Sequence, residues 1–212
     1  MIQIGLKDRI HRLSGQSMSN DRAHRWFQCS PCMSLVIILW LLVGVPHLRA
    51  EQSKAGEFEV KAAYLYNFAR FVEWPGENNS NGNGLFEICV LGADPFGGTL
   101  DATVAGQTIS GKNVTIRRVS KPQEVSPCRI VFISSSEEGR LKEDLAALDK
   151  AQILTVSDIP RFSERGGMIG FVLEGNRVRF DVNLASAQGA GLTLRSELLK
   201  VATNVRKHAG NM

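Results

Sequence analysis

The run Cys128-Arg129-Ile130-Val131-Phe132-Ile133 constrains the fold more than any other stretch of this chain. A strand with one wet face alternates apolar and polar residues; a nearly unbroken apolar run belongs to a strand covered on both faces. Leu85 to Leu91 (LFEICVL) reads as a second buried strand, stopped by Gly92. Val114 to Val119 alternates like a strand, and Ile153 to Val156 adds a short one. Between them, Asp94 or Pro95 opens a short helix through Val104. Arg140 to Asp149 carries Leu141, Leu145 and Leu148 at helical spacing. Met168 to Leu173 and Arg177 to Val182 flank Glu174-Gly175-Asn176, which predicts a β-hairpin. A last helix is expected from about Leu194 to Val205, with Leu198, Leu199 and Ala202 inward. Strands alternating with helices predict an α/β fold, a single-domain sandwich with a central mixed, mostly parallel sheet flanked by helices. The 212 residues suffice for one such domain.

Ahead of the first strand, Val60 to Pro75 reads as an amphipathic helix. Val60, Tyr64, Phe68 and Phe71 fall on one face of a 3.6-residue repeat. Pro75 is expected to end it, because the residue before a proline is pushed out of the helical region. Residues 76–84 (GENNSNGNG) form a polar connection.

The first fifty residues differ in kind. Arg22, His24 and Arg25 precede the apolar run Met33 to Val45, and Pro46 to Ala50 ends on a small residue. That layout predicts a secretory signal peptide over residues 1–50, cleaved after Ala50. A spanning helix needs about 20 apolar residues, more than this run supplies. Met18 in place of Met1 gives a leader of ordinary length. Of the 25 basic residues six lie in the leader, and of the 21 acidic residues two, leaving 19 of each in residues 51–212. A neutral exported domain has no basic footprint for nucleic acid.

The cysteines divide likewise. Cys29 and Cys32 form a C-x-x-C within the leader, where a redox or zinc site would be discarded. Cys89 and Cys128 remain, and an exported even pair favours a disulfide, with two buried free thiols in adjacent strands as the alternative. Closing a loop of about 40 residues stabilises a fold by roughly 4 kcal/mol in the chain-entropy model.

Catalytic chemistry has little to draw on. His11, His24 and His47 lie in the leader, leaving His208 near the end of the chain. A Ser-His-Asp or Cys-His arrangement would depend on that one residue, and a His-rich metal site is excluded. Asp94, Asp158 and Asp181 sit at turns or strand ends, where carboxylates commonly cap. The turn Gly92-Ala93-Asp94-Pro95-Phe96-Gly97-Gly98-Thr99 follows a strand but lacks the P-loop lysine and the G-x-G-x-x-G spacing. Ser134-Ser135-Ser136 lies where α/β sheets bind ligands, and a helix N-cap is its ordinary role. Gly189-Ala190-Gly191 suits close packing. These residues predict no enzyme, no cofactor and no metal.

Five blocks, taken in order, resemble the YfiR family of periplasmic regulators. The first runs through Tyr64, Asn67, Phe68, Phe71, Trp74 and Pro75, and the second is Cys89 to Gly97 with Leu100-Asp101. The third is Cys128 to Ile133. The fourth is Gly166 to Phe171 leading into Arg179 to Leu184. The last is Ala190-Gly191-Leu192 with Ser196, Leu198, Leu199 and Ala202. The resemblance covers about residues 57–205 of a domain placed at 51–212. It implies a non-catalytic periplasmic protein that represses an inner-membrane diguanylate cyclase through that enzyme's periplasmic domain, lowering cyclic di-GMP and biofilm formation. An outer-membrane lipoprotein and a second copy of the chain are further partners it admits. A ligand-sensing subunit for another membrane receptor, such as a sensor kinase, is the alternative on the same fold.

The family's paired cysteines map onto Cys89 and Cys128. With no second pair in residues 51–212, redox control resting on two disulfides does not transfer. Ala187-Gln188 stands where an arginine is expected at the second position, so a ligand role tied to that arginine does not transfer either. Arg161, Arg165, Arg177 and Arg179 are candidate contacts with an acidic partner, against the ordinary reading of a solvated strand face.

Overall fold

A computed structural model describes residues 46–76, 84–149 and 151–207. The expected leader up to residue 45, with Cys29, Cys32 and Met18, lies outside the described residues, as do most of the polar connection and His208. Residues 49–212 belong to one compact unit. In chain order the elements are α1 (Pro46–Phe71), β1 (Val72–Glu73), β2 (Leu85–Leu91), α2 (Gly98–Val104), β3 (Thr108–Ile109) and β4 (Lys112–Val119). There follow β5 (Cys128–Ile133), α3 (Leu141–Ala147), β6 (Leu154–Ser157), β7 (Ile169–Glu174) and β8 (Arg177–Asn183). The chain closes with α4 (Leu184–Gly189), β9 (Thr193–Leu194), α5 (Ser196–Val201) and β10 (Asn204–Arg206).

Eight strands form one sheet in the order β10-β8-β7-β6-β5-β2-β4-β3. Five of its seven pairings are parallel; β3 with β4 and β7 with β8 run antiparallel. The fold is thus the expected mixed, mostly parallel sheet flanked by helices. LFEICVL and CRIVFI are its β2 and β5, near the middle of the sheet, and alternate residues feed two separate cores. Phe86, Ile88, Val90, Ile130 and Phe132 pack on the face that α1 covers. Cys89, Leu91, Val131 and Ile133 pack with Leu141 and Leu148 on the other. Burial on both faces is why neither strand alternates.

Several boundaries differ from expectation, the first being that α1 begins at Pro46 rather than Val60. Helix α1 ends at Phe71, before Pro75, because Val72 leaves it to pair antiparallel with Leu194. Trp74 therefore packs from an extended segment, its ring 5.5 Å from that of Phe86 and edge-on to it. The buried stripe of α1 is also rotated: Ala62, Leu65, Phe68 and Ala69 face the core, whereas Val60 is 44% exposed. At the other end, the expected helix to Val205 stops at Val201, and Asn204–Arg206 joins the sheet beside β8. The second helix begins at Gly98, since Asp94 and Pro95 belong to the turn before it. Among the described residues no helix is long and apolar enough to cross a membrane.

Candidate functional site

Ligands of open α/β sheets bind outside the carboxyl ends of the strands, where the strand order reverses. Here the chain moves from β2 to β4 on one side and then to β5 on the other, so the reversal lies between Leu91 and Ile133. The protein fills that crevice itself. Ser134 caps the 3₁₀ helix Ser135–Arg140, and its backbone N–H donates to Leu91 O at 3.0 Å. The Ala93 N–H donates to Ser136 Oγ at 3.0 Å, and Ser136 Oγ donates to Glu137 Oε1 at 2.9 Å. Burial pushes the Glu137 carboxyl up, but hydrogen bonds from Arg140 and Ser136 outweigh it and hold the group below its ordinary value. A Cβ on Gly92 would stand 2.5 Å from Glu137 Oε1 and 2.8 Å from its Cγ, at a φ of +89°. Only glycine fits that position without displacement.

Arg118, at the end of β4, ties down the adjoining turn. It donates to Asp94 Oδ2, Asp101 Oδ1 and Gly97 O, each at 2.9 Å. The Arg118 hydrogen bond holds Asp101 below its ordinary value, and the same contact pushes the guanidinium further up. Asp94 also accepts from the Phe96 N–H at 2.8 Å, the local turn role expected of it. With Asp94 and Asp101 both engaged by Arg118, this turn makes a poor anion site.

The open space lies one crevice further along, beyond the end of β6. A cavity of about 300 Å³ is walled by Glu57, Lys61, Asp158, Arg161, Phe171 and Leu173 among others. Lys61 is buried, with its ammonium 4.5 Å from the centroid of the Phe58 ring. It pairs with Glu57 one helical turn earlier and donates to Asp158 Oδ2 at 2.7 Å. Asp158 was expected to cap a turn; instead it neutralises a buried lysine, and its Oδ1 is buried without a partner. Arg161 stands at the rim with a φ of +57°, and among the described residues its guanidinium has no hydrogen bond or ion pair. Sequence reasoning missed Glu57 and Lys61. The available signal was a lysine four residues before Leu65 and seven before Phe68, on the buried stripe, with a glutamate four residues ahead of it.

The other expected residues fall as follows. Cys89 and Cys128 form a disulfide between β2 and β5, with Cα atoms 5.9 Å apart. Phe68 and Trp74 are buried, Tyr64, Asn67 and Phe71 are half-buried, and Pro75 is exposed. Arg165 donates to Glu138 at 3.0 Å. Arg177 and Arg179 alternate with the inward Val178 and Phe180 on β8; Arg179 pairs across the hairpin with Val172, which lines the same cavity as Arg161. Asp181 accepts from Asn204 at 2.9 Å. Gly191, at a φ of +79°, would place a Cβ 3.6 Å from Pro75. Among the described residues, no group of three His, Cys, Asp or Glu is placed to hold a metal ion.

The sequence model described as YfiR/HmsC-like matches residues 58–203. Among solved structures, a Streptococcus pneumonia protein described as an ABC domain in complex with L-Trp has a TM-score of 0.43 at 13% identity, over 57% of this chain and 55% of that one. A conserved domain protein from Vibrio cholerae has a TM-score of 0.49 at 10% identity, over 68% of this chain and 60% of that one. The chain thus spans less than two thirds of each of these structures, and at such values neither likeness bears on function.

Proposed function

Because the chain belongs to the YfiR/HmsC-like family, we propose that it is a periplasmic, non-catalytic regulator that represses an inner-membrane diguanylate cyclase. By binding the cyclase's periplasmic domain it lowers cyclic di-GMP and biofilm formation. The observation that carries this reading is the family match over residues 58–203, nearly the whole of the domain. Two structural features support it. The crevice where α/β enzymes place their chemistry is occupied by Ser136 and Glu137, and a disulfide between sheet strands suits an oxidising compartment. On this reading residues 1–50 direct export and are then removed by cleavage after Ala50, within the first turns of α1.

The partner contacts proposed are Arg161, Arg165, Arg177 and Arg179, of which Arg177 and Arg179 share one face of the β-hairpin. Acidic side chains on the cyclase complement them, and an outer-membrane lipoprotein or a second copy competes for the same domain. Capture of membrane proteins on the tagged chain tests the proposal. Recovery of a protein with a diguanylate cyclase output domain, reduced several-fold by R177E/R179E, is expected. Recovery of a sensor kinase instead supports the alternative, a ligand-sensing subunit for another receptor.

A further inference from the structure

We infer that the cavity beyond the end of β6 is a vacant strand position, where β7 docks an extended peptide segment of a partner protein, apolar and acidic at alternate residues. The inference does not rest on which membrane protein the domain restrains. Strand β6 pairs with β7 only at Ile169 and Gly170, whereas β8 pairs with it as far as Glu174. Past Ser157 the chain turns away, and Asp158, Pro160 and Arg161 close the end of the slot that a longer β6 would fill. The cavity of about 300 Å³ lies in that slot, along Phe171, Val172 and Leu173.

The ladder with β8 fixes which backbone groups face the slot. Opposed residues of an antiparallel pair alternately exchange both hydrogen bonds or turn them outward. The Asn183 N–H donates to Met168 O at 2.7 Å, so Met168, Gly170, Val172 and Glu174 are the positions bonded to β8. In agreement, Phe180, opposite Phe171, turns its carbonyl outward to accept from the Thr203 N–H at 2.9 Å. Leu173 therefore turns its N–H and C=O away from β8, toward a side where no strand lies. An exposed edge of this kind is a template for an incoming strand, whose main chain supplies affinity and whose alternate side chains supply specificity.

Successive side chains of an added strand point to opposite faces. On the face that α1 covers they meet Phe171 and Leu173, the latter 57% exposed, which favours apolar residues. On the other face they lie beside Val172 and its cross-strand neighbour Arg179, with Arg177 opposite Glu174. Among the described residues Arg177, Arg179 and Arg161 at the rim have no hydrogen bond or ion pair, which favours acidic residues there. The edge is recessed between the Pro160–Arg161 turn and Glu57 of α1, so it admits a single peptide strand and not the β7 edge of a second copy.

The test uses isotope-labelled protein recovered from the envelope of cells expressing the full chain, followed by amide NMR. In the free protein the Leu173 amide is expected to exchange with solvent at least ten-fold faster than those of Val172 and Glu174. A short capped peptide of alternating aspartate and valine should shift and protect that amide saturably, at one peptide per chain, and the lysine–valine counterpart should bind at least ten-fold more weakly. N-methylation of every valine, or of every aspartate, removes peptide N–H groups of one phase only; one set should abolish binding and the other preserve it. L173P removes the outward N–H but no bond to β8, and proline is tolerated at such edges, so it should keep the fold and lose the peptide. L173A keeps the N–H and should lose affinity only several-fold. A protected Leu173 amide in the free protein, absence of saturable binding, equal binding of the lysine peptide, or equal effects of the two N-methylated sets overturns the inference.

Discussion

Lys61 donates to Asp158 at 2.7 Å across 97 residues of sequence, fastening α1 to the end of β6. The contact joins the first helix of the domain to the carboxyl edge of its sheet and forms the floor of the open cavity. A buried ammonium is tolerated because two carboxylates surround it, and removing one partner of such a set typically costs about 3–5 kcal/mol. K61M is therefore expected to lower unfolding stability by about 3 kcal/mol. K61M/D158L, which removes the more buried of the two carboxylates left stranded, should recover part of that loss in denaturant titration. Equal stability of K61M and the wild type would show that the pair is not formed.

Gly92 and Glu137 occupy one another's limits at the β2–β5 crevice. G92A forces a Cβ into the buried Glu137 side chain at a positive φ, so the glutamate must leave Ser136 and Arg140. The expected cost is about 2–4 kcal/mol, from overpacking and backbone strain together. Chemical denaturation measures it, and G92A should remain oxidised at Cys89 and Cys128.

The disulfide closes a sequence separation of 39 residues. C89S/C128S is expected to lose roughly 4 kcal/mol of stability, a fall in melting temperature of about 8–16 °C for a domain of this size. Protein from the envelope should gain roughly 2 Da on reduction, as one disulfide takes up two protons and two electrons.

Asp144 is buried in α3 with Oδ2 unpartnered, and burial pushes its carboxyl above the ordinary value, assisted by Glu137 and Glu143 and opposed by Arg140. A raised folded value means that the native state holds this proton more tightly than the unfolded chain. Its contribution is thus greatest in acid and is lost as pH rises from the ordinary carboxylate range through the raised value. D144N is expected to stabilise the domain near neutral pH, with the gain shrinking as pH falls through the ordinary carboxylate range. Melting temperatures of both proteins across that range check the sign. Glu137 and Asp101, held low, contribute oppositely, and their support fades on acidification.

The parts of this fold legible in sequence are those whose burial is set locally. LFEICVL and CRIVFI are covered on both faces, and Val178, Phe180 and Val182 alternate with polar neighbours, so strand character is written into each run. The strands β1, β9 and β10 span two or three residues, too few to show a period, and exist only through distant partners such as Leu194 for Val72. The same competition ends α1 at Phe71 despite helical spacing that continues to Trp74. Lys61 and Asp158 have no common local pattern; the topology alone brings them together. Cys89 and Cys128 were legible as a pair because the expected export and an even count leave few alternatives.

Repression of a membrane diguanylate cyclase is the central claim, and intracellular cyclic di-GMP in a strain lacking this chain tests it most directly. A rise of several-fold on deletion is predicted, reversed by expressing the full chain and not by a chain lacking residues 1–50, which is expected to stay in the cytoplasm. An unchanged level in the deletion strain, or reversal by the leaderless chain, would contradict the account.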